Sequence, residues 1–252
     1  MIICSISTIP NRTNSLIRVL NELLLSSLLP DLVLITISEY YPRVEKKYPK
    51  QDLIYLENFL KSYPLKSEII KKDIDVGPVV KLLTPLEWIE KNSKKENCFI
   101  LTIDDDSPLY NRALESMTNS YYKNNNSVYS IMGCNPGEFI HAEDMTEEKE
   151  VQGIGGYRGV LYPYHLIKEI KSWIEFFLEQ HKKENIFPMH DDHIFSYYMR
   201  NKNIKMNVVP IPDKNYINYK PIPNNDGIMS DSFCGISLEK TNTIYKKTLE
   251  ME

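Results

Sequence analysis

The sequence predicts an α/β protein with a mostly parallel central sheet flanked by helices, and three observations predict it. Short apolar runs alternate with segments of helical periodicity through the first half of the chain. Those runs are solidly apolar, as strands buried on both faces are. Three of them are followed by polar or conformationally unusual segments, Thr8–Arg12, Ser38–Arg43 and Asp104–Asp106. In such sheets ligands bind outside the carboxyl ends of the strands.

Taken in order, Ile2–Ser7 is a short β-rich run that ends in the turn Thr8-Ile-Pro-Asn-Arg12. Leu16, Val19, Leu20, Leu23 and Leu24 recur at helical spacing, and Leu32–Ser38 is an apolar run of strand length. Asp52–Tyr63 reads as a helix and Ser67–Lys72 as a short strand. After Asp75-Val-Gly-Pro78 comes a second helical stretch, in which Thr84-Pro85-Leu86-Glu87 has the form of a capping-box start with proline at the first position. Cys98–Ile103 is a fully apolar strand that runs into three aspartates. The second half is less regular. Ser127–Gly133 is a candidate strand, His141–Glu150 an acidic loop, and Gly153–Gly159 leads into a helix from about Pro163 to Gln180. His190-Asp-Asp-His193 opens another helix, Val208–Ile211 is a strand, and from Pro212 the chain reads as a long loop or tail. Neither an internal repeat nor a clear linker divides it.

Composition narrows the function classes. With 42% hydrophobic and 25% charged residues the chain has an ordinary globular profile. A net charge of −4 with dispersed basic residues argues against nucleic acid as the main partner. Cys4, Cys98, Cys134 and Cys234 lie far apart, without a C-x-x-C pair, so a reducing cytosol is expected rather than a disulfide framework. The N-terminus lacks a basic n-region, and the apolar stretch Leu16–Ile37 is interrupted by Arg18, Glu22, Pro30 and Asp31. A soluble cytoplasmic protein is expected, with any membrane contact peripheral.

Four groups of residues carry candidate chemistry. Three consecutive carboxylates after an apolar strand are costly unless something positive neutralises them. A hard cation such as Mn²⁺ or Mg²⁺, held by one or two carboxylates and substrate phosphates, would do so. Asp104 and Asp106 are two apart and point the same way in an extended segment. The bland reading is a solvated acidic turn closed by Ser107-Pro108. Asp75-Val-Gly-Pro-Val-Val-Lys81 combines a permissive glycine with a lysine that could reach a phosphate or hold an aspartate; an ordinary strand-to-helix turn is the alternative. In His190-Asp191-Asp192-His193 one carboxylate suits a general base, while either aspartate also suits an N-cap; the histidine spacing is no recognised zinc arrangement. Gly153–Gly159 does not fit the G-x-G-x-x-G fingerprint and reads as a tight turn that lets backbone approach a sugar. Trp173, Ile174, Phe176 and Phe177 read as a core helix face.

Taken together, Thr8-Ile-Pro-Asn-Arg12, Asp75-x-Gly-Pro-x-x-Lys81-Leu82, Ile103-Asp-Asp-Asp106 with Tyr110, and His190-Asp-Asp-His193 followed by Lys202-Asn-Ile204 resemble the glycosyltransferase A-type fold. They are most similar to family 2-like bacterial and large-virus enzymes, over about residues 1–230. The resemblance implies a single Rossmann-like catalytic domain with a nucleotide-binding half (about 1–110), an acceptor half (about 111–230) and a tail (231–252). It implies that Thr8 and Arg12 border the nucleotide and that Asp75 and Lys81 hold its base, ribose or phosphates. Asp104-Asp105-Asp106 would be the metal and diphosphate site, with Asp104 and Asp106 as ligands and Asp106 the direct one. Gly155, Gly156 and Tyr157 would line the donor sugar or acceptor, and Asp191 or Asp192 would be the base. No histidine follows His193, so the downstream histidine that often completes the metal shell is missing; Asn224, Asn225 and Asp226, or diphosphate and water, are the substitutes.

The implied reaction is transfer of a sugar from a nucleoside-diphosphate sugar to a glycan or other hydroxyl acceptor. A UDP-sugar is favoured over a GDP-sugar, and inversion over retention. Two other classes compete. A sugar-1-phosphate nucleotidyltransferase would also use a doubly wound sheet and Mg²⁺, but the first strand is not followed by the glycine-rich basic loop that a triphosphate needs. A non-catalytic carbohydrate-binding protein with the same fold would bind glycan without nucleotide.

Overall fold

The computed structural model describes residues 1–92, 97–185, 187–212, 242, 243 and 246, with the side chain of Tyr157 left aside. The elements are β1 (Ile2–Ser7), α1 (Thr13–Leu23), β2 (Leu32–Tyr41), β3 (Lys46–Lys47), α2 (Lys50–Lys61), β4 (Ser67–Ile74), α3 (Val80–Lys91) and β5 (Phe99–Thr102). Then come α4 (Ala113–Lys123), β6 (Ser127–Ser130), β7 (Met132–Asn135), β8 (Glu138–His141), β9 (Lys149–Val151), β10 (Gly153–Ile154), β11 (Val160–Pro163), α5 (Tyr164–Ile167), α6 (Ile170–Lys183), α7 (Asp191–Asn201) and β12 (Lys205–Val208).

The fold is mixed α/β. The main sheet runs β4-β2-β1-β5-β11-β6-β12-β9, with β3 paired to the end of β2. Its first half is parallel: β1 pairs with β2 and β5, and β2 with β4. β11 enters antiparallel between β5 and β6, which restarts the sheet with β6 and β12 parallel. The apolar runs behave as expected of doubly covered strands, with Ile3, Cys4, Ile6, Val33, Leu34, Ile35, Ile100 and Leu101 completely buried. Leu16, Val19, Leu20 and Leu23 form the buried stripe of α1. In α6, Ile174 and Phe177 are buried while Trp173 and Phe176 pack partly covered against the core.

Several boundaries differ from the sequence reading. α3 begins at Val80, so Thr84 does not cap it and Pro85 lies inside it. The turn at Gly77-Pro78 starts the helix instead: Val80 and Lys81 donate N–H bonds to the carbonyls of Gly77 and Pro78. Thr84 is buried and accepts a 2.9 Å bond from Thr36 of β2. Pro85 brings no N–H to the Lys81 carbonyl one turn earlier, a cost that packing of the helix on the sheet must outweigh. β2 continues through Tyr41, since β3 and β4 both pair with its end, so Ser38–Tyr41 is strand rather than loop. Ser127–Gly133 is two strands, broken at Ile131 where the chain leaves the main sheet for a small one of order β10-β7-β8. The acidic segment His141–Glu150 ends in β9, and Pro163 closes β11 instead of starting a helix. The strand in this region is Lys205–Val208, not Val208–Ile211. Asn224, Asn225, Asp226, Cys234 and most of the expected tail lie outside the described residues.

Cys4, Cys98 and Cys134 are free thiols. Among the described residues no helix is long and apolar enough to cross a membrane.

Candidate functional site

A cavity of about 540 Å³ opens beyond the carboxyl ends of β1 and β5. Its lining includes Arg12, Arg43, Lys81, Asp104, Asp105, Asp106, Gly155, Asp191 and Asp192. The volume is within the range of small-ligand sites. Thr8 and Asp75 are buried behind it, and neither they nor Gly156 line it.

The turn after β1 is built to bring Arg12 back over the strand ends. Asn11 takes a left-handed φ of 74°, a conformation asparagine tolerates better than most side chains. Arg12 then reaches Asp105 and Asp106, both at 2.9 Å. Asp105 also accepts a 2.6 Å bond from the Thr8 hydroxyl and is 3% exposed. Thr8 and Arg12 therefore serve Asp105 first, and Asp105 is an internal anchor. Burial pushes its carboxyl up to about 6; Arg12 opposes this, Asp106 adds to it and the Thr8 bond opposes it again. The segment is not the extended one the sequence suggested: Asp105 and Asp106 form a turn closed by the Asp104–Ser107 bridge, and Asp104 and Asp106 still both line the cavity.

Asp75 closes the next turn. It accepts the Gly77 N–H at 3.1 Å and pairs with Arg43 at 2.8 Å. Gly77 has φ +92°, and a Cβ there would lie 2.3 Å from the Pro188 carbonyl oxygen. Only glycine lets the chain leading to α7 approach so closely. Asp75 is thus a support for Arg43, and Arg43 is the residue that faces the cavity; local sequence gave no signal for it beyond its place after β2.

Lys81, one helical turn on, is 3% exposed. Its Nζ is 2.5 Å from Asp104 Oδ1 and 3.0 Å from Asp191 Oδ2. Burial works against its charge, but Asp104, Asp191 and Asp192 outweigh burial and raise its pKa well above the ordinary value. Lys81 so ties the end of β5 to the start of α7, two segments far apart in sequence.

In α7 the N-cap residue is His190, and Asp191 and Asp192 occupy the first turn, so neither aspartate is the cap. Both still suit the positive end of the helix dipole. Asp192 accepts the Gly156 N–H at 2.9 Å. A Cβ on Gly156 would meet Asp192 Oδ1 at 2.2 Å, which is the reason for glycine in that turn. Burial raises the Asp192 carboxyl to about 8; Asp191 adds to the rise, while Lys81 and the Gly156 N–H oppose it. His193, beside it, is lowered to about 4 by burial, with His190 and Arg200 adding to the effect.

The 155–159 turn is clamped from behind. Arg158 donates to Tyr110 Oη at 2.5 Å, pairs with Glu143 at 3.0 Å and lies over the Tyr110 ring. Gly159, at φ +111°, brings the backbone against Leu109, where a Cβ would lie 2.6 Å from a methyl group. The turn that holds Asp192 is therefore braced on the segment that follows the three aspartates.

Asp104 and Asp106 are the two carboxylates that could hold a hard divalent cation. Asp104 and Asp106 both line the cavity, and among the described residues Asp104 Oδ2 has no protein partner. No group of three or more histidine, cysteine or acidic side chains among the described residues is arranged to hold a metal. A cation here would take the two carboxylates and complete its shell from phosphate and water.

Fold and cavity together define a Rossmann-like α/β protein with its ligand cleft at the strand ends. Among the solved structures it is similar to are two of S. aureus TarS. The crystal structure of TarS 1-349 in complex with UDP-GlcNAc matches with a TM-score of 0.50 and 14% identity, covering 82% of this chain and 56% of that one. The crystal structure of TarS 1-349 gives a TM-score of 0.49 at 14% identity, over 82% and 57%. The chain thus spans a little over half the length of these structures, and at this identity the likeness defines the fold alone. No protein-family model and no curated protein sequence matches the chain.

Proposed function

We propose that this chain is a glycosyltransferase that moves a sugar from a nucleoside-diphosphate sugar, a UDP-sugar by preference, to a hydroxyl acceptor. The observation that carries the reading is the convergence of Arg12, Lys81, Asp104, Asp106 and Asp192 on one cavity at the strand ends. Cations and carboxylates together suit a ligand that is itself anionic and metal-bridged. The resemblance of the four motifs to A-type glycosyltransferases supports it, as does the UDP-GlcNAc held by TarS, a protein of the same fold.

In this reading Asp104 and Asp106 hold Mn²⁺ or Mg²⁺, which supplies positive charge to the leaving diphosphate. Arg12 and Lys81 add fixed positive charge on the same side, where negative charge develops as the glycosidic C–O bond breaks. Arg43 and its Asp75 support border the nucleotide, and Gly155 lines the sugar. Asp192 is the general base. It takes the proton of the acceptor hydroxyl as that oxygen bonds to the anomeric carbon, and the nucleoside diphosphate departs with inversion. Asp191, ion-paired to Lys81, positions the lysine. A carboxylate with a pKa of about 8 is matched to proton transfer near neutral pH.

Calorimetry with UDP, with and without Mn²⁺, tests the donor half of the proposal. Binding that tightens with Mn²⁺ and loses that enhancement in Asp106→Ala is expected. Absence of UDP affinity under both conditions would remove the nucleotide-sugar reading.

A further inference from the structure

The small sheet carries a feature that a diphosphate site does not use. β7 and β8 form a hairpin around Pro136-Gly137, with Gly137 at φ +77°. In its register Gly133 faces Ile140 and Cys134 faces Phe139. Cross-strand partners share a face, so the hairpin has two distinct sides. One is packed: Ile140 is 4% exposed, and a Cβ on Gly133 would lie within 2.9 Å of Val151 and Val208 side chains. The other lines the cavity with Met132, Cys134 and Phe139. Phe139 is 76% exposed, a large aromatic ring on the cavity wall.

The rung that bears it stands next to the proposed base. Cys134 and Asp192 both line the main cavity. Cys134, Asp192 and His193 also line a second, smaller cavity that continues past the hairpin with Asn135, Ser196 and Arg200. A ligand resting on Phe139 would therefore have an apolar surface beneath it and hydrogen-bonding groups at its edge. A pyranose has that shape: a face of C–H bonds and a rim of hydroxyls. A purely apolar ligand would strand Asp192 and the polar wall unpaired. A diphosphate would gain nothing from the ring.

We infer that the cavity face of the β7–β8 hairpin is the acceptor platform, with Phe139 stacking against a pyranose ring whose hydroxyl is presented to Asp192. This rests on the glycosyltransferase reading above and adds the acceptor's chemical class. Phe139 is a specificity residue rather than part of the donor site, and its exposure makes its replacement benign for folding.

Saturation-transfer NMR on the UDP-loaded protein tests it. The probes are methyl β-D-glucopyranoside, methyl β-D-galactopyranoside and methyl N-acetyl-β-D-glucosaminide. At least one should bind the wild type, with saturation strongest on one face of the ring. Phe139→Ala should weaken that binding about tenfold and Phe139→Trp should retain it, the scale of one aromatic contact. Equal binding to wild type and Phe139→Ala, or no binding of any probe to the wild type, would overturn the platform while leaving UDP affinity intact. Loss of UDP affinity in the wild type would instead overturn the underlying reading and the platform with it.

Discussion

The two acidic clusters that face each other across the cavity carry their charge differently. At the end of β5 every aspartate touches a cation directly: Lys81 for Asp104, and Arg12 for both Asp105 and Asp106. At the start of α7, Asp191 shares Lys81 with Asp104, while Asp192 has the Gly156 N–H and only the more distant field of that lysine. The first cluster is ion-paired directly with fixed cations. The second contains a carboxyl raised to about 8, which suits a group that must take up a proton. In the proposed reaction the same residue type would serve as ligand on one side and as base on the other, because the cations are distributed unequally.

That contrast can be broken from either side. The largest effect is expected from Asp192→Asn, which removes the base and keeps the shape: sugar transfer should fall by roughly 100-fold or more, the usual scale of general-base catalysis, in an initial-rate assay. The same variant should melt higher than wild type at pH 8. A carboxyl whose folded pKa lies above its unfolded value favours the folded state at low pH and loses that contribution as pH rises from about 4 to about 8. Lys81→Met comes next. It strands Asp104 and Asp191 with no cation between them, and a broken buried pair costs about 3–5 kcal/mol, readable as a lower denaturant midpoint. Adding Asp191→Asn should recover part of that loss.

Smaller effects separate support from chemistry. Arg158→Met should loosen the turn that holds Asp192, lowering kcat by about tenfold with little change in donor KM and moving the pH limb, while Arg158→Lys recovers part of the rate. Gly156→Ala should act on the same bond from the other end, since its methyl would displace Asp192 Oδ1. A donor KM that rises while kcat stays constant would place both residues at the donor instead.

The sequence revealed the two halves of this site unequally, for physical reasons. β1, β2 and β5 lie in solid apolar runs that read as strands, and the carboxylates after β5 stand out because they follow buried residues. The inward turn of Asp105 was not legible. It sits in a turn closed by the Asp104–Ser107 bridge, and only the positions of Thr8 and Arg12, nearly 100 residues away, make it an anchor. Pro85 misled for a related reason: a local capping pattern is weaker than the Gly77-Pro78 turn and the burial of Val80, Leu82 and Leu83, which start the helix earlier. β7, β8, β9, β10 and β11 have only two to four residues each, too few for a period to appear, and they exist through their pairing. The hairpin bearing Phe139 was missed on that account, although Pro136-Gly137 was the turn signal that could have found it.

The most direct test of the account is the pH dependence of kcat/KM for a UDP-sugar donor, measured with Mn²⁺ for wild type and Asp192→Asn. The account predicts a rate that climbs through an ionisation near pH 8 in the wild type and a low, nearly pH-independent rate in the variant. An Asp192→Asn enzyme that keeps the wild-type rate and the same ascending limb would contradict it.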